Sequence, residues 1–137
     1  NSRIGVLICF ESIFPEISRQ QAEGGANLLV TITNDAWFGR SSAPWQHLAM
    51  GVFRAVETRK TLVRAANTGI STFIDPMGRI QGASSLFSEY AYSQPVALVN
   101  GLTCYVRWGY LFPWVCLILT LAGLWRGYAR RENTKKK

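Results

Sequence analysis

Cys9 closes a short apolar run, Ile4-Gly5-Val6-Leu7-Ile8, and is followed at once by Phe10 and Glu11. A cysteine attacks as thiolate, so it needs a base to take its proton and donors to hold the oxyanion that forms. A run of this length reads as a buried strand, which puts Cys9 at the end of a central strand, where α/β proteins place their chemistry. Pro15 suits the first turn of a following helix and Ser12 is placed to cap it. Cys9 is therefore expected on a tight strand-to-helix turn that exposes its sulfur and aims the Phe10 N–H at a developing oxyanion. A cysteine packed as a small hydrophobe needs no aromatic and acidic neighbours at a strand end, and we expect Cys9 to be the nucleophile. Glu11 is the candidate partner beside it, on the same side as Cys9 if the turn preserves alternation. The lone imidazole, His47, has no acidic neighbour in sequence and falls on the polar side of its helix, so it reads as a surface or capping residue. Cys9, Cys104 and Cys116 are an odd, scattered set with no CxxC pair. Neither a disulfide framework nor a metal site is indicated, and no cofactor is implied.

The elements that position these residues follow in order. Residues 16–23 form a mostly polar helix stopped by Gly24-Gly25, and residues 27–33, rich in Leu, Val and Ile, form a second strand parallel to the first. Residues 34–44 lack an apolar period and contain Gly39 and Pro44, so they form a loop on the sheet edge that carries Cys9. In that loop Trp37 and Phe38 are poorly explained by local packing and are candidate contacts for an apolar substrate. Trp45, Leu48, Ala49, Val52, Phe53 and Val56 then recur at helical spacing and predict an amphipathic helix over 45–58. Residues 61–66 and 71–74 read as strands joined by Asn67-Thr68-Gly69, with Asn and Gly taking positive φ, and Asp75-Pro76-Met77-Gly78 is a second such turn. Ile80 onward and residues 91–99 are placed as edge strands.

The net charge of +7 is uneven. Arg126, Arg130, Arg131 and Lys135 to Lys137, set against Glu132, carry +5 of it, leaving +2 for residues 1–125. That distribution does not support a basic patch for nucleic acid. Trp108 to Trp125 is free of charge, flanked by Arg107 and Arg126, with Trp and Tyr near its ends. This is the pattern of a transmembrane helix with aromatic belts, and the basic tail puts the C-terminus in the cytoplasm and Cys9 on the opposite side. We expect three segments: a catalytic part over 1–105, a transmembrane helix over 106–128 and a basic cytoplasmic tail over 129–137. Opening without Met, nearly on a core strand, the chain reads as the C-terminal piece of a larger protein.

Cys9-Phe10-Glu11-Ser12 with Phe14-Pro15-Glu16 resembles the nucleophile motif of the nitrilase superfamily, whose members use a Glu-Lys-Cys triad. Asn34-Asp35-Ala36-Trp37-Phe38-Gly39, Pro44-Trp45-Gln46-His47 and Arg64 to Ser71, in that order before an apolar segment, resemble the apolipoprotein N-acyltransferases within it. The resemblance implies an α/β fold, the C-terminal part of a nitrilase-like α-β-β-α sandwich followed by one transmembrane helix. It further implies Cys9 as nucleophile and Glu11 as a required neighbour, with Phe10, where many relatives carry Tyr, beside Trp37 and Phe38 in the substrate site. The Glu base and oxyanion Lys would precede Asn1, since Lys60 and Lys135 to Lys137 stand in the wrong blocks. The implied reaction moves an acyl chain from a phospholipid through a Cys9 thioester to the N-terminal amine of a diacylglyceryl-cysteine apolipoprotein, in a bacterial inner membrane with the catalytic domain periplasmic. A nitrilase-type amidase and a membrane-tethered module with an inert cysteine are the alternatives.

Overall fold

The computed structural model describes residues 1–135, with side chains up to Tyr128. The chain divides into two compact units, Asn1–Arg107 and a second beginning at Trp108. In the first unit, strands β1 (Ile4–Ile8), β2 (Leu28–Asn34) and β3 (Thr61–Asn67) run parallel, and β4 (Thr72–Ile74) and β5 (Ile80–Gln81) extend the sheet antiparallel in the order β1-β2-β3-β4-β5. Helix α1 (Pro15–Glu23) connects β1 to β2, and α2 (Ala43–Thr58) connects β2 to β3. Because the parallel strands are adjacent in chain order and such crossovers are right-handed, both helices fall on one face of the sheet. That face holds the core of Leu7, Leu29, Leu48, Ala55, Leu62, Ile70 and Ile74. Gly5 is required there, since a Cβ would lie 2.8 Å from the Gln21 Cβ of α1. The other face carries Ile4, Val6, Ile8 and Ile32, all exposed. Parallel sheets are ordinarily covered on both sides, and among the described residues this apolar face is uncovered.

Several local expectations change. Ser12 does not cap α1, whose N-cap is Phe14 without a side-chain bond; the Ser12 hydroxyl turns inward instead. In the β3–β4 turn Thr68, not Asn67 or Gly69, takes positive φ (60°). Gly69 is needed for a different reason, described below. Edge pairing stops at Gln81, and residues 91–99 form no strand. That segment is strapped across the sheet edge opposite Cys9, where Lys60 Nζ donates to the carbonyls of Val99 (2.6 Å) and Gly101 (2.7 Å) and Thr61 Oγ1 donates to Ala97 O (2.7 Å). Side chains thus replace the ladder hydrogen bonds, and burial pushes the Lys60 ammonium below its ordinary range.

The amphipathic stripe of α2 is also displaced. The helix buries Pro44, His47, Leu48, Gly51, Arg54, Ala55 and Thr58, while Trp45, Phe53 and Val56 lie exposed. Its core face is therefore polar or small at most positions.

The short helix α3 (Cys104–Trp108) closes the first unit. Gly109, at φ 56°, separates it from α4 (Leu111–Lys135). Trp108 thus lies before the long helix, not within it. Among the described residues, α4 is the one helix long and apolar enough to cross a membrane, over Leu111–Tyr128, with none of that window buried. Pro113 sits in its first turn, where a missing N–H costs nothing. The tail over 129–137 has its side chains outside the described residues.

Candidate active site

β1 ends at Ile8, and the chain enters a single 3-10 turn over Cys9–Ile13 before α1. Cys9 takes φ 51°, a left-handed conformation that costs a non-glycine residue on the order of 1 kcal/mol. Its side chain is half-buried and its thiol free. Both flanks of the bend are pinned. Before it, the Ile8 N–H donates to Glu11 Oε2 at 2.6 Å. After it, the Cys9 carbonyl accepts from the Ser12 hydroxyl at 3.0 Å and lies 3.3 Å from His47 Nε2. Glu11 is accordingly brought beside Cys9 through the backbone of the turn.

His47 overturns the surface assignment made for it. It is only 4% exposed and joins a buried polar cluster. Nε2 lies 2.9 Å from Ser12 Oγ, and Nδ1 lies 3.0 Å from Asp35 Oδ1 and 3.1 Å from an Arg64 guanidinium nitrogen. Asp35, just past β2, also accepts from Arg64 at 2.7 Å and from Thr33 Oγ1 at 3.1 Å. Arg64, projecting from β3, donates further to Ile70 O at 3.2 Å. Its side chain is fully buried; burial presses its pKa below the ordinary range, and the Asp35 carboxylate beside it opposes that shift. Gly69 lets the β3–β4 turn pass directly over this pair, since a Cβ there would lie 2.3 Å from Asp35 Oδ2.

The aromatic residues separate. Phe10 stacks on the His47 ring (centroids 5.6 Å, 18°), and Phe38 meets both edge-on at 6.1 Å. These three rings with Ile13, Ala43, Gln46 and Met50 line a cavity of about 210 Å³ next to the Cys9 turn. Trp37 stays outside, 73% exposed. Gly39 follows at φ 56° with nothing near its Cβ position, so the loop is unconfined there. A second cavity of about 320 Å³ opens past the end of β3, lined by Asn67, Thr68, Ser71, Phe87 and Glu89 among others. A half-buried thiol on a pinned left-handed turn, beside an apolar cavity, suits acyl capture from an apolar donor.

Residues 2–96 match the family model described as carbon-nitrogen hydrolase. Among curated proteins, the chain is 57% identical over 115 residues to the apolipoprotein N-acyltransferase of Geobacter metallireducens, covering 84% of this chain and 22% of that one. It is 40% identical over 132 residues to that of Thermotoga maritima, covering 96% and 26%. The chain thus spans about a quarter of the length of these relatives. Among solved structures, the carbon-nitrogen hydrolase from Helicobacter pylori G27 superposes with TM-score 0.57 at 15% identity, covering 64% of this chain and 38% of that one, which speaks to the fold. The amidase from Nesterenkonia sp. AN1, in a structure showing covalent addition of the acetamide moiety of fluoroacetamide at its active-site cysteine, gives TM-score 0.50 at 27% identity, covering 63% and 35%.

Proposed function

Since this chain belongs to the carbon-nitrogen hydrolase family, we propose that it carries the nucleophile of an apolipoprotein N-acyltransferase, with Cys9 as the acyl acceptor. The Cys9 sulfur attacks the ester carbonyl of a phospholipid; the C–S bond forms, the C–O bond breaks, and the thiol proton ends on the departing lysophospholipid hydroxyl. The α-amino group of a diacylglyceryl-cysteine apolipoprotein then attacks the thioester, forming the amide, breaking C–S and returning a proton to the thiol. Phe10 N–H is the backbone oxyanion donor. Glu11 holds the turn through Ile8, and Phe10 and Phe38 form the wall on which the start of the acyl chain lies. The base and the oxyanion Lys come from residues preceding Asn1. Lys60 is committed to two carbonyls at the opposite sheet edge, which supports that assignment.

The apolar helix Leu111–Tyr128 spans the inner membrane, with the first unit periplasmic and the basic tail cytoplasmic. The observation that carries the reading is the placement of Cys9: left-handed, half-buried, at the C-terminal end of a parallel strand and beside an aromatic cavity. Similarity to the Nesterenkonia amidase keeps one second reading in view, in which water resolves the same thioester. In the full-length protein, Cys9→Ala is expected to abolish transfer from phospholipid to a diacylglyceryl peptide and the mass shift of the acyl-enzyme, with melting unchanged. Substantial residual transfer overturns the nucleophile assignment, and a product consisting only of free fatty acid favours the hydrolase.

A further inference from the structure

We propose that His47, anchored by Asp35 and Arg64, is a positioning residue that works with Ser12 to set the direction of the oxyanion donor at Cys9. The inference rests on Cys9 being the acylated nucleophile, and extends it to four residues that act through the backbone of the Cys9 turn.

The argument starts from the peptide plane. The Cys9 carbonyl and the Phe10 N–H belong to one planar trans unit, so they point in opposite directions. Whatever fixes the carbonyl fixes the N–H. The carbonyl points inward, to Ser12 Oγ at 3.0 Å and His47 Nε2 at 3.3 Å. The N–H therefore points away from the buried cluster. It also belongs to the first turn of a helical segment, whose leading N–H groups have no intrahelical acceptor.

Hydrogen counting shows that the two holders act together. Ser12 has one hydroxyl hydrogen, and it goes to the Cys9 carbonyl. Nε2, 2.9 Å from Ser12 Oγ, must then carry a hydrogen of its own, which it directs at the serine oxygen and the carbonyl. On the far side of the ring, Nδ1 is held in either state, as donor to Asp35 or as acceptor from Arg64. The ring is thus locked by Asp35, just past β2, and Arg64 of β3, so the end of β1, an edge strand paired with β2, is tied to β2, β3 and α2. Without that lock, the left-handed Cys9 has only Ser12 and the turn itself to keep it from relaxing.

Orienting the oxyanion donor alters the chemical step; Ser12, which is not among the residues lining the cavity, reports that effect with ground-state binding of the donor lipid intact, whereas His47 also lines the cavity. Misplacement of a reacting group by about 1 Å costs on the order of 100-fold. In the full-length enzyme in detergent, single-turnover acylation of Cys9 by a phospholipid is followed by mass spectrometry across donor concentrations. His47→Ala is expected to lower the limiting acylation rate, read at saturating donor, about 100-fold; its half-saturation is not the readout, because the ring also lines the cavity. His47→Gln, whose amide N–H reaches the same carbonyl, is expected to recover at least tenfold. A limiting rate in His47→Ala within threefold of wild type overturns the inference, as does a folded His47→Gln no faster than His47→Ala. Where His47→Ala fails to fold, Ser12→Ala decides: about a tenfold slower limiting rate with unchanged half-saturation supports the role, and a wild-type rate overturns it. Failure of the underlying reading appears separately, as absence of Cys9 acylation in the unmutated enzyme.

Discussion

Gly69→Ala isolates the close approach on which the buried cluster depends. Gly69 is not in a positive-φ conformation, so alanine meets no backbone penalty there and the whole effect comes from contact. The new Cβ would lie 2.3 Å from Asp35 Oδ2 and 2.9 Å from its Cβ and Cγ. Asp35 cannot swing aside freely, because it is 1% exposed and bound by Arg64, Thr33 and His47. Restoring ordinary contact requires the carboxylate or the turn to move by about 1 Å. Overpacking of this kind costs about 1–3 kcal/mol. If the movement also strips Arg64 of one bond, about 1–3 kcal/mol more is lost, since its guanidinium has no access to water.

With both contributions a destabilisation of about 2–6 kcal/mol follows, equivalent, at about 2–4 °C per kcal/mol, to a fall on the order of 4–24 °C in the melting temperature. Thermal unfolding of the full-length protein, followed by intrinsic fluorescence in detergent, measures it. Gly101→Ala serves as the control, because Gly101 has φ 92° and nothing within 4 Å, so its cost is backbone strain alone, about 1 kcal/mol. A Gly69→Ala protein that melts within 1 °C of wild type, or that loses no more than Gly101→Ala, refutes the claim that the turn presses on Asp35.

The aromatic loop and the Asp75 turn give two further expectations. Trp37→Ala should leave melting unchanged and reduce turnover of long-chain lipid donors about tenfold, the equivalent of about 1.4 kcal/mol of lost apolar contact. Phe38→Ala should lower melting as well, because Phe38 packs on Phe10 and His47 while Trp37 packs on nothing comparable; equal melting of the two variants counts against the division. Asp75 is held below its ordinary pKa first by the Arg79 N–H and then by that of Met77. Its contribution is therefore present above the unfolded carboxylate pKa, about 3.9, and is lost as pH falls through the lower folded value. Thermal scans should show Asp75→Ala below wild type at neutral pH and the gap closing towards pH 3; a gap independent of pH contradicts the assignment.

Strands β1 to β3 and helix α1 were legible because continuous apolar runs and Gly-Gly punctuation are local signals. The proposed position of Cys9 at a strand end followed from the same reasoning. His47 was illegible because its partners are distant in sequence: Asp35 is 12 residues away, Arg64 17, Ser12 35 and Cys9 38. Reading α2 by its apolar residues selected the outer face. The signal that marks the inner one is the recurrence of His47, Gly51, Arg54 and Thr58 at spacings of four, three and four, a stripe of polar and small residues on one side of a helix. Such a stripe is buried only where another element supplies hydrogen bonds, and here Arg54 reaches Ile13 O while His47 reaches Asp35 and Ser12.

Apolar residues stand on both outer surfaces of the first unit, on the helix side because of that displacement. Trp45, Phe53 and Val56 of α2 face outward on one side of the layer, and Ile4, Val6, Ile8 and Ile32 face outward on the other. Contiguous apolar surface of that kind marks contact with further protein or lipid. The two surfaces call for different partners. The sheet face has the alternation of a strand packed on a second sheet, whereas the helix face offers large rings at helical spacing, suited to another helix or an apolar layer. Phe10 and Phe14, within and just after the Cys9 turn, are exposed as well. Because Ile8 of the sheet face immediately precedes Cys9 and both Ile8 and Phe10 are exposed, whatever covers that face would border the proposed acyl site.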